Sequence, residues 1–215
     1  MVARVDLRGL SQDGVVEFAS SPDVPTIDVA RAVGAVDLHP GLADVQAIQP
    51  REGGEGSSYS GNFGTAAFPL HTDMAHWHVP PRFILLRCVT PSPSVSTLVV
   101  PSRHVTADMP KNLLRSAFFR ARRPLDGRVG ILRLWTEASF RWDQTFIEPL
   151  NGAGRVLRAA VMERIHSIAP RELTMDEPGK CILIDNWQSI HGRSAVPPSA
   201  MARVVERVYL SKVGG

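Results

Sequence analysis

A mainly β fold with flanking helices is predicted by three features of the sequence. Seventeen glycines and seventeen prolines punctuate the 215 residues so often that most segments between them are too short for long helices. Seven of those segments are short runs rich in β-branched and large apolar side chains. Only two longer segments carry sustained helical spacing. With 44% hydrophobic residues the chain has the material for one well-buried core, and residues 1–215 are read as a single domain.

Taken in order, "GVVEFA" (14–19) predicts the first strand, "TIDVARAVG" (26–34) a helix, and "DVQAIQP" (44–50) a second strand. "PREGGEGSSYSGNFG" (50–64) is rich in glycine and serine and predicts a mobile loop of the kind that closes over substrates. "RFILLRCVT" (82–90) and "STLVVPS" (96–102) are strands. A short helix is expected after Asp108-Met109-Pro110, with Pro110 in its first turn and Asp108 as its cap. "RVGILRLW" (128–135) predicts a further strand. "GRVLRAAVMERIHSI" (154–168) predicts the longest helix, with Val156, Ala159, Ala160, Met162 and Ile165 as its apolar stripe. "KCILIDNW" (180–187) and "ARVVERVYL" (202–210) complete the seven strands, enough to close a sandwich or barrel.

Charge and composition exclude several function classes. The net charge of +3 comes from arginines scattered among acids, with no basic block to mark a nucleic-acid surface. No apolar run approaches the ~18 residues that span a bilayer, and "MVARVDLRGL" lacks the apolar core of a secretory signal. Cys88 and Cys181 each sit in an apolar stretch without CxxC spacing, as buried thiols do in a reducing compartment. A cytoplasmic protein with a small-molecule substrate, acting on neither nucleic acid nor membrane, is expected.

The chemistry-bearing residues concentrate in three places. "FPLHTDMAHWHVPP" (68–81) holds three of the seven histidines and an aspartate, and in an extended segment His71 and Asp73 project to the same side. Taken alone, the pair also fits a turn-capping aspartate beside a surface histidine. In "GKCILIDNWQSIHGRSA" a buried strand delivers the chain to Asp185-Asn186, and His191 follows just beyond. Two histidines and one carboxylate form the facial arrangement that leaves positions open on Fe(II) for a chelating co-substrate and oxygen. In the last strand Arg203, Val205, Arg207 and Tyr209 share one face. That face suits a carboxylate clamp better than a core, because guanidinium stays charged and forks onto two oxygens.

Together these residues resemble the TauD/TfdA-like Fe(II)/2-oxoglutarate-dependent dioxygenases, relatives of taurine dioxygenase and clavaminate synthase. The resemblance runs from about Ser57 to Leu210 and is carried by "FPLHTD", "PPRFILLRC", "DNWQSIHGRSA" and "RVVERVYL". It implies a double-stranded β-helix (jelly roll) with a shortened lid region. His71, Asp73 and His191 would be the catalytic iron ligands. Arg207 would bind the 5-carboxylate of 2-oxoglutarate, Thr97 would hydrogen-bond the same group, and Arg203 would lie nearby as a second cation. The cofactors implied are Fe(II), 2-oxoglutarate as co-substrate, and O2. The expected reaction is hydroxylation, or another oxidation, of an unactivated C–H in a small polar, amino-acid-like molecule, with release of succinate and CO2. Natural-product tailoring is one setting for such a reaction. The carboxylate of Asp73 argues against halogenation, since halogenating relatives carry a small residue there.

The remaining candidates are substrate residues. His76 and His78 follow the metal motif closely enough to border a pocket. Arg141 and Asp143, in "ASFRWDQTFIEP", alternate on an extended segment and would pair with charged groups of a substrate or with each other. Trp187, like Trp77, would supply an apolar wall or pack in the core. Rival readings are a cupin-type metal site built from His71, His76 and His78, a non-catalytic jelly-roll binding protein, and a zinc hydrolase. His39, His104 and His166 are read as ordinary structural or surface histidines.

Overall fold

The computed structural model describes residues 5–39, 41–53, 56, 58–123 and 130–214. In chain order the elements are α1 (Arg8–Asp13), β1 (Val15–Ala19), α2 (Thr26–Val33), β2 (Gly34–Val36), β3 (Gln46–Ile48), α3 (Tyr59–Phe63), β4 (Phe68–His71), β5 (Phe83–Thr90), β6 (Ser92–Pro101), α4 (Ser102–Thr106) and α5 (Lys111–Ser116). They continue with β7 (Phe119–Ala121), β8 (Ile147–Pro149), α6 (Gly152–Ser167), β9 (Arg171–Met175), β10 (Lys180–Asp185), β11 (Ser189–Arg193) and β12 (Val204–Val213).

Two antiparallel sheets organise the chain as a double-stranded β-helix. One has the order β1-β10-β5-β12-β2, with β3 also paired to β12; the other runs β4-β11-β6-β9. Alternation along the strands sorts side chains to the two faces of each sheet. Ile84, Leu86, Ile182, Ile184 and Val205 of the larger sheet meet Val99, Leu173 and Met175 of the smaller one in the core between them. On the outer face of the larger sheet, Leu85, Leu183, Val208 and Leu210 pack against Val29, Ala30 and Val33 of α2. On the outer face of the smaller sheet, Leu70, Val100 and Ile190 bury against Leu114 of α5 and Leu157 and Val161 of α6. Helices therefore cover both outer faces, and the space between the sheets holds the core and, at one end, the site.

Six of the seven expected strands form. "RVGILRLW" does not: Arg128 and Val129 lie outside the described residues, and Leu132 and Trp135 make only isolated bridges to Phe119 and Phe140. Leu132 and Leu134 do point inward, but among the described residues the pairing with β7 stops at the single Phe119–Leu132 bridge and no ladder forms.

The expected stripe of α6 is also rotated. Gly154, Leu157 and Val161 form its buried line, with Met162 and Ile165 at the edge, while Val156 is 59% exposed. Gly154 belongs to the buried line because an added Cβ would come within 2.6 Å of the Phe118 carbonyl. The helix after Pro110 forms, with Pro110 rather than Asp108 at its cap; Asp108 turns away at φ 63° and pairs with Arg164 at 2.9 Å. Within 50–64 the structure holds α3 instead of an open loop, capped by Ser58 accepting from Gly61 N at 3.0 Å; Gly54, Glu55 and Ser57 of that stretch lie outside the described residues.

Ile184 is fully buried at the centre of the inter-sheet core. Ile184→Ala is expected to lower the unfolding free energy by about 2–5 kcal/mol in a denaturant titration. A loss below about 1 kcal/mol would contradict this packing.

Candidate active site

The site is assembled by sheet register. β11 lies antiparallel to β4 with His191 directly opposite His71, so the imidazoles stand side by side at ring centroids 4.7 Å apart. The chain leaves β4 after His71 and turns, Met74 taking φ 54°. Asp73 thus sits at the start of a turn rather than in the extended segment expected. Thr72 and Asn186 fix that turn. Thr72 N donates to Trp142 O at 2.7 Å, and its hydroxyl accepts from Trp142 N at 3.0 Å. Asn186 Oδ1 accepts from Asp73 N at 2.9 Å, while its Nδ2 donates to Asp73 O at 3.1 Å and Pro81 O at 2.8 Å. Asn186, immediately after β10, therefore supports the turn that carries Asp73.

Asp73 Oδ1 lies 3.2 Å from His71 Nε2 and 3.5 Å from His191 Nε2. One donor atom from each of the three residues falls within 4.8 Å of the others, and this is the only such cluster among the described residues. All three are buried. His71 Nδ1 is 2.9 Å from the Pro69 carbonyl, which assigns the proton to that nitrogen and leaves Nε2 as a lone-pair donor. Burial holds the His191 imidazole below its usual pKa. Burial pushes the Asp73 carboxyl up, but Arg207 and the two histidines outweigh it and keep the group well below the ordinary carboxylate range. Two imidazoles and a carboxylate on one face of a pocket fit a divalent iron with open positions.

The other carboxylate oxygen is occupied. Asp73 Oδ2 accepts from Arg207 at 2.7 Å and from the Tyr209 hydroxyl at 2.9 Å. The second terminal amino group of Arg207 donates to Gln46 Oε1 at 2.6 Å. Arg207 was expected to be the free clamp for 2-oxoglutarate, yet both of its terminal amino groups are engaged within the protein. Arg203 is different. It is buried, makes no side-chain hydrogen bond or ion pair among the described residues, and its Nε has no acceptor.

Arg203, Val205, Arg207 and Tyr209 all border one cavity of about 550 Å³ with the His-Asp-His cluster, as the period-two reading of the last strand predicts. Thr97 borders it as well, opposite Arg193 in the β6–β11 ladder. Burial and the neighbouring Arg203 charge lower Arg193 to about 10. The Arg193 guanidinium lies 3.7 Å over the Phe68 ring and donates to the Gly64 and Ala66 carbonyls. Arg193, Arg203 and Thr97 thus border the cavity with no carboxylate hydrogen-bonded to either guanidinium among the described residues.

Tyr59, His76, Asp143 and Phe146 also border the cavity. Tyr59 stacks on His71 at 3.8 Å between centroids, and its buried hydroxyl has no hydrogen-bond partner among the described residues. Burial, then the charge of Asp143, raise the Tyr59 pKa. His76 Nδ1 is likewise buried without a partner among the described residues, and burial lowers its pKa. Asp143 Oδ1 accepts from Thr145 N and Phe146 N, both at 2.7 Å.

Three substrate candidates fall elsewhere. Arg141 neither borders the cavity nor pairs with Asp143; its guanidinium donates to the Ala75, Trp77 and His78 carbonyls and so braces the loop after the metal motif. His78 is exposed and outside the cavity lining, which removes the cupin set of His71, His76 and His78. Trp187 donates to Pro80 O at 2.9 Å and packs under Arg82, a structural role. Trp77 packs edge-on against His39, at 4.9 Å between ring centroids. His104 and His166 are exposed, and His39 is enclosed by Trp77 and Tyr209. Tyr59, Gln46, Arg193 and Asn186 were missed. Arg193 was the most accessible of them, since it lies two residues after His191 on the same strand face.

The family model described as taurine catabolism dioxygenase TauD, TfdA family matches residues 5–124, more than half of the chain. The chain belongs to the TauD/TfdA family. It is an Fe(II)/2-oxoglutarate-dependent dioxygenase. Among solved structures, asparagine oxygenase in complex with Fe(II), 2S,3S-3-hydroxyasparagine and succinate is similar at TM-score 0.71 and 18% identity, covering 95% of this chain and 77% of that one. PvcB from Pseudomonas aeruginosa is similar at TM-score 0.66 and 19% identity, with 94% and 77% covered. The non-heme iron oxygenase OrfP in complex with Fe, succinate and (3S)-hydroxy-L-Arg is similar at TM-score 0.65 and 16% identity, with 94% and 76% covered. At these identities the likeness establishes the double-stranded β-helix of this TauD/TfdA dioxygenase. No curated protein sequence matches the chain.

Asn186→Ala is expected to destabilise the fold by about 1–3 kcal/mol, because the buried Asp73 N–H and the Asp73 and Pro81 carbonyls lose their partner together. Thermal unfolding measures this, and an unchanged melting temperature would contradict the role given to Asn186.

Proposed function

We propose that the protein oxidises an unactivated C–H bond of a small, amino-acid-like molecule, with hydroxylation as the simplest outcome. The carrying observation is the lining of a single cavity, which the His-Asp-His cluster shares with Arg193 and Arg203 and with the carboxylate-bearing Asp143. In this reading His71, Asp73 and His191 hold Fe(II). Arg203, with Thr97 beside it and Arg193 adding positive charge, binds the distal carboxylate of 2-oxoglutarate. The unpaired guanidinium of Arg203 supports this role better than Arg207, which Asp73 and Gln46 already occupy. Bound together, Fe(II), 2-oxoglutarate and O2 supply the oxidising power for a strong C–H bond, and succinate and CO2 are released.

The chain's own residues orient and enclose the reactants. The Nδ1 contact to Pro69 keeps His71 Nε2 directed inward. Tyr59, Phe68, Phe146, Leu86 and Val205 line the cavity with apolar surface that excludes water. Asp143, with the Tyr59 hydroxyl and His76 Nδ1 beside it, offers a charged and hydrogen-bonding end for a substrate ammonium or hydroxyl. The molecules bound in two of the similar structures, 2S,3S-3-hydroxyasparagine and (3S)-hydroxy-L-Arg, support an amino-acid-like molecule.

Screening amino acids and small carboxylates for stimulated succinate release tests the substrate class. At least one amino-acid-like compound should stimulate release, and stimulation confined to non-amino compounds would overturn that assignment. Replacing His71 or His191 with Ala should abolish turnover dependent on Fe(II) and 2-oxoglutarate; an active, metal-independent variant would end the proposal. Arg203→Gln should weaken 2-oxoglutarate binding by about 1.5–3 kcal/mol, roughly ten- to a hundredfold in the concentration needed. Unchanged affinity would return the clamp to Arg207.

A further inference from the structure

We propose that Tyr209 is a positioning residue that acts with Arg207 to keep Asp73 a one-oxygen ligand, presenting Oδ1 to the metal and withholding Oδ2. This rests on the reading of His71, Asp73 and His191 as the metal site, and it assigns work to a hydroxyl that neither the fold nor substrate binding requires.

The argument begins with the strand. At position 209 a phenylalanine would fill the same inter-sheet space, and the hydrogen bond to Asp73 Oδ2 is the only one the Tyr209 hydroxyl makes among the described residues. The hydroxyl is held by the packing of its ring. His39 meets that ring edge-on at 5.8 Å between centroids, and the Arg207 guanidinium lies over it at 4.9 Å. Arg207 is in turn held from the opposite side by Gln46 of the edge strand β3. Two donors on rigid supports therefore converge on one oxygen.

The backbone of Asp73 is fixed independently by Asn186, so the carboxylate cannot shift as a unit to satisfy both oxygens at once. Rotation of the carboxylate toward the histidines would break both hydrogen bonds to Oδ2. The conformation with those bonds intact is the one that brings Oδ1 to 3.2 and 3.5 Å from the two imidazole nitrogens. A carboxylate free to bind through both oxygens would take an extra coordination position, one that a co-substrate or oxygen needs in a two-histidine, one-carboxylate site. Outer partners of this kind orient a ligand and tune the metal without touching it.

Co(II) is the probe, because its visible spectrum reports coordination number without turnover. Wild type, His71→Ala and Tyr209→Phe are titrated with Co(II) alone, and their melting curves are recorded. Tyr209→Phe should fold, bind Co(II) about tenfold more weakly, and show an altered visible spectrum, whereas His71→Ala should show no specific binding. Wild-type affinity together with a wild-type spectrum in Tyr209→Phe would overturn the positioning role and leave the metal site standing. Equal binding by wild type and His71→Ala, or binding by neither, would overturn the metal site and this proposal with it. If Tyr209→Phe does not fold, Gln46→Leu replaces it: the change lies on an edge strand, keeps both donor residues of Asp73 Oδ2 in the chain, and removes the support that holds Arg207 against it. It should weaken Co(II) binding in the same direction, and unchanged binding and spectrum would overturn the proposal equally.

Discussion

The contact between Asp73 and Arg207 is the constraint around which the site is organised. A carboxylate buried between two sheets is costly unless it is paired and fully hydrogen-bonded, and here a guanidinium at 2.7 Å and a phenol at 2.9 Å satisfy one oxygen while two imidazoles face the other. Each partner arrives by a different piece of strand geometry. His71 and His191 are a cross-strand pair of the smaller sheet, whereas Arg207 and Tyr209 stand two residues apart on the inner face of the larger sheet. A one-residue slip of β12 would turn both donors outward and bring Glu206 and Val208 to the site. The apolar outer face of β12, with Val208 and Leu210 packed on α2, is what prevents that slip. Packing on one side of a strand thus fixes the electrostatics on the other.

Charge balance connects this pair to the choice of reactants. Arg51, Arg193, Arg203 and Arg207 line the cavity together with Asp73 and Asp143. Arg207 is compensated by Asp73, whereas Arg193 and Arg203 have no ion-pair partner among the described residues. A dicarboxylate co-substrate answers that imbalance, and a metal accounts for the remaining donors. Asp143 borders the same cavity, and its charge acts on both Tyr59 and His76. Its carboxylate favours a cationic or hydrogen-bonding group on the second reactant.

The metal cluster was legible in the sequence because its determinants are local: His-x-Asp at a strand end, and a histidine a few residues beyond a buried strand. The face of β12 that borders the cavity was legible for the same reason, since period-two alternation decides which side chains share a surface. Which of its arginines is hydrogen-bonded within the protein was not legible. That depends on Asp73 Oδ2 and Gln46, which come from distant segments and engage Arg207. Tyr59 was hidden in a stretch whose glycines and serines read as a loop, although Ser58 caps a short helix there and aims the ring at His71. Arg141 misled in the opposite direction. Its charge suggested a substrate contact, and only the three carbonyls of the preceding turn reveal that it braces the backbone. On α6 the apolar spacing was real but the face was wrong, because Gly154, silent on any hydrophobic scale, marks the line of closest approach.

These arguments converge on one ion-binding cluster and a dicarboxylate site in the same cavity. Titration of the anaerobic protein with Fe(II) and then 2-oxoglutarate, followed by visible absorbance, tests that claim most directly. The account predicts a weak visible band that needs both components and saturates at one iron per chain. Absence of the band, or a band indifferent to 2-oxoglutarate, would contradict it.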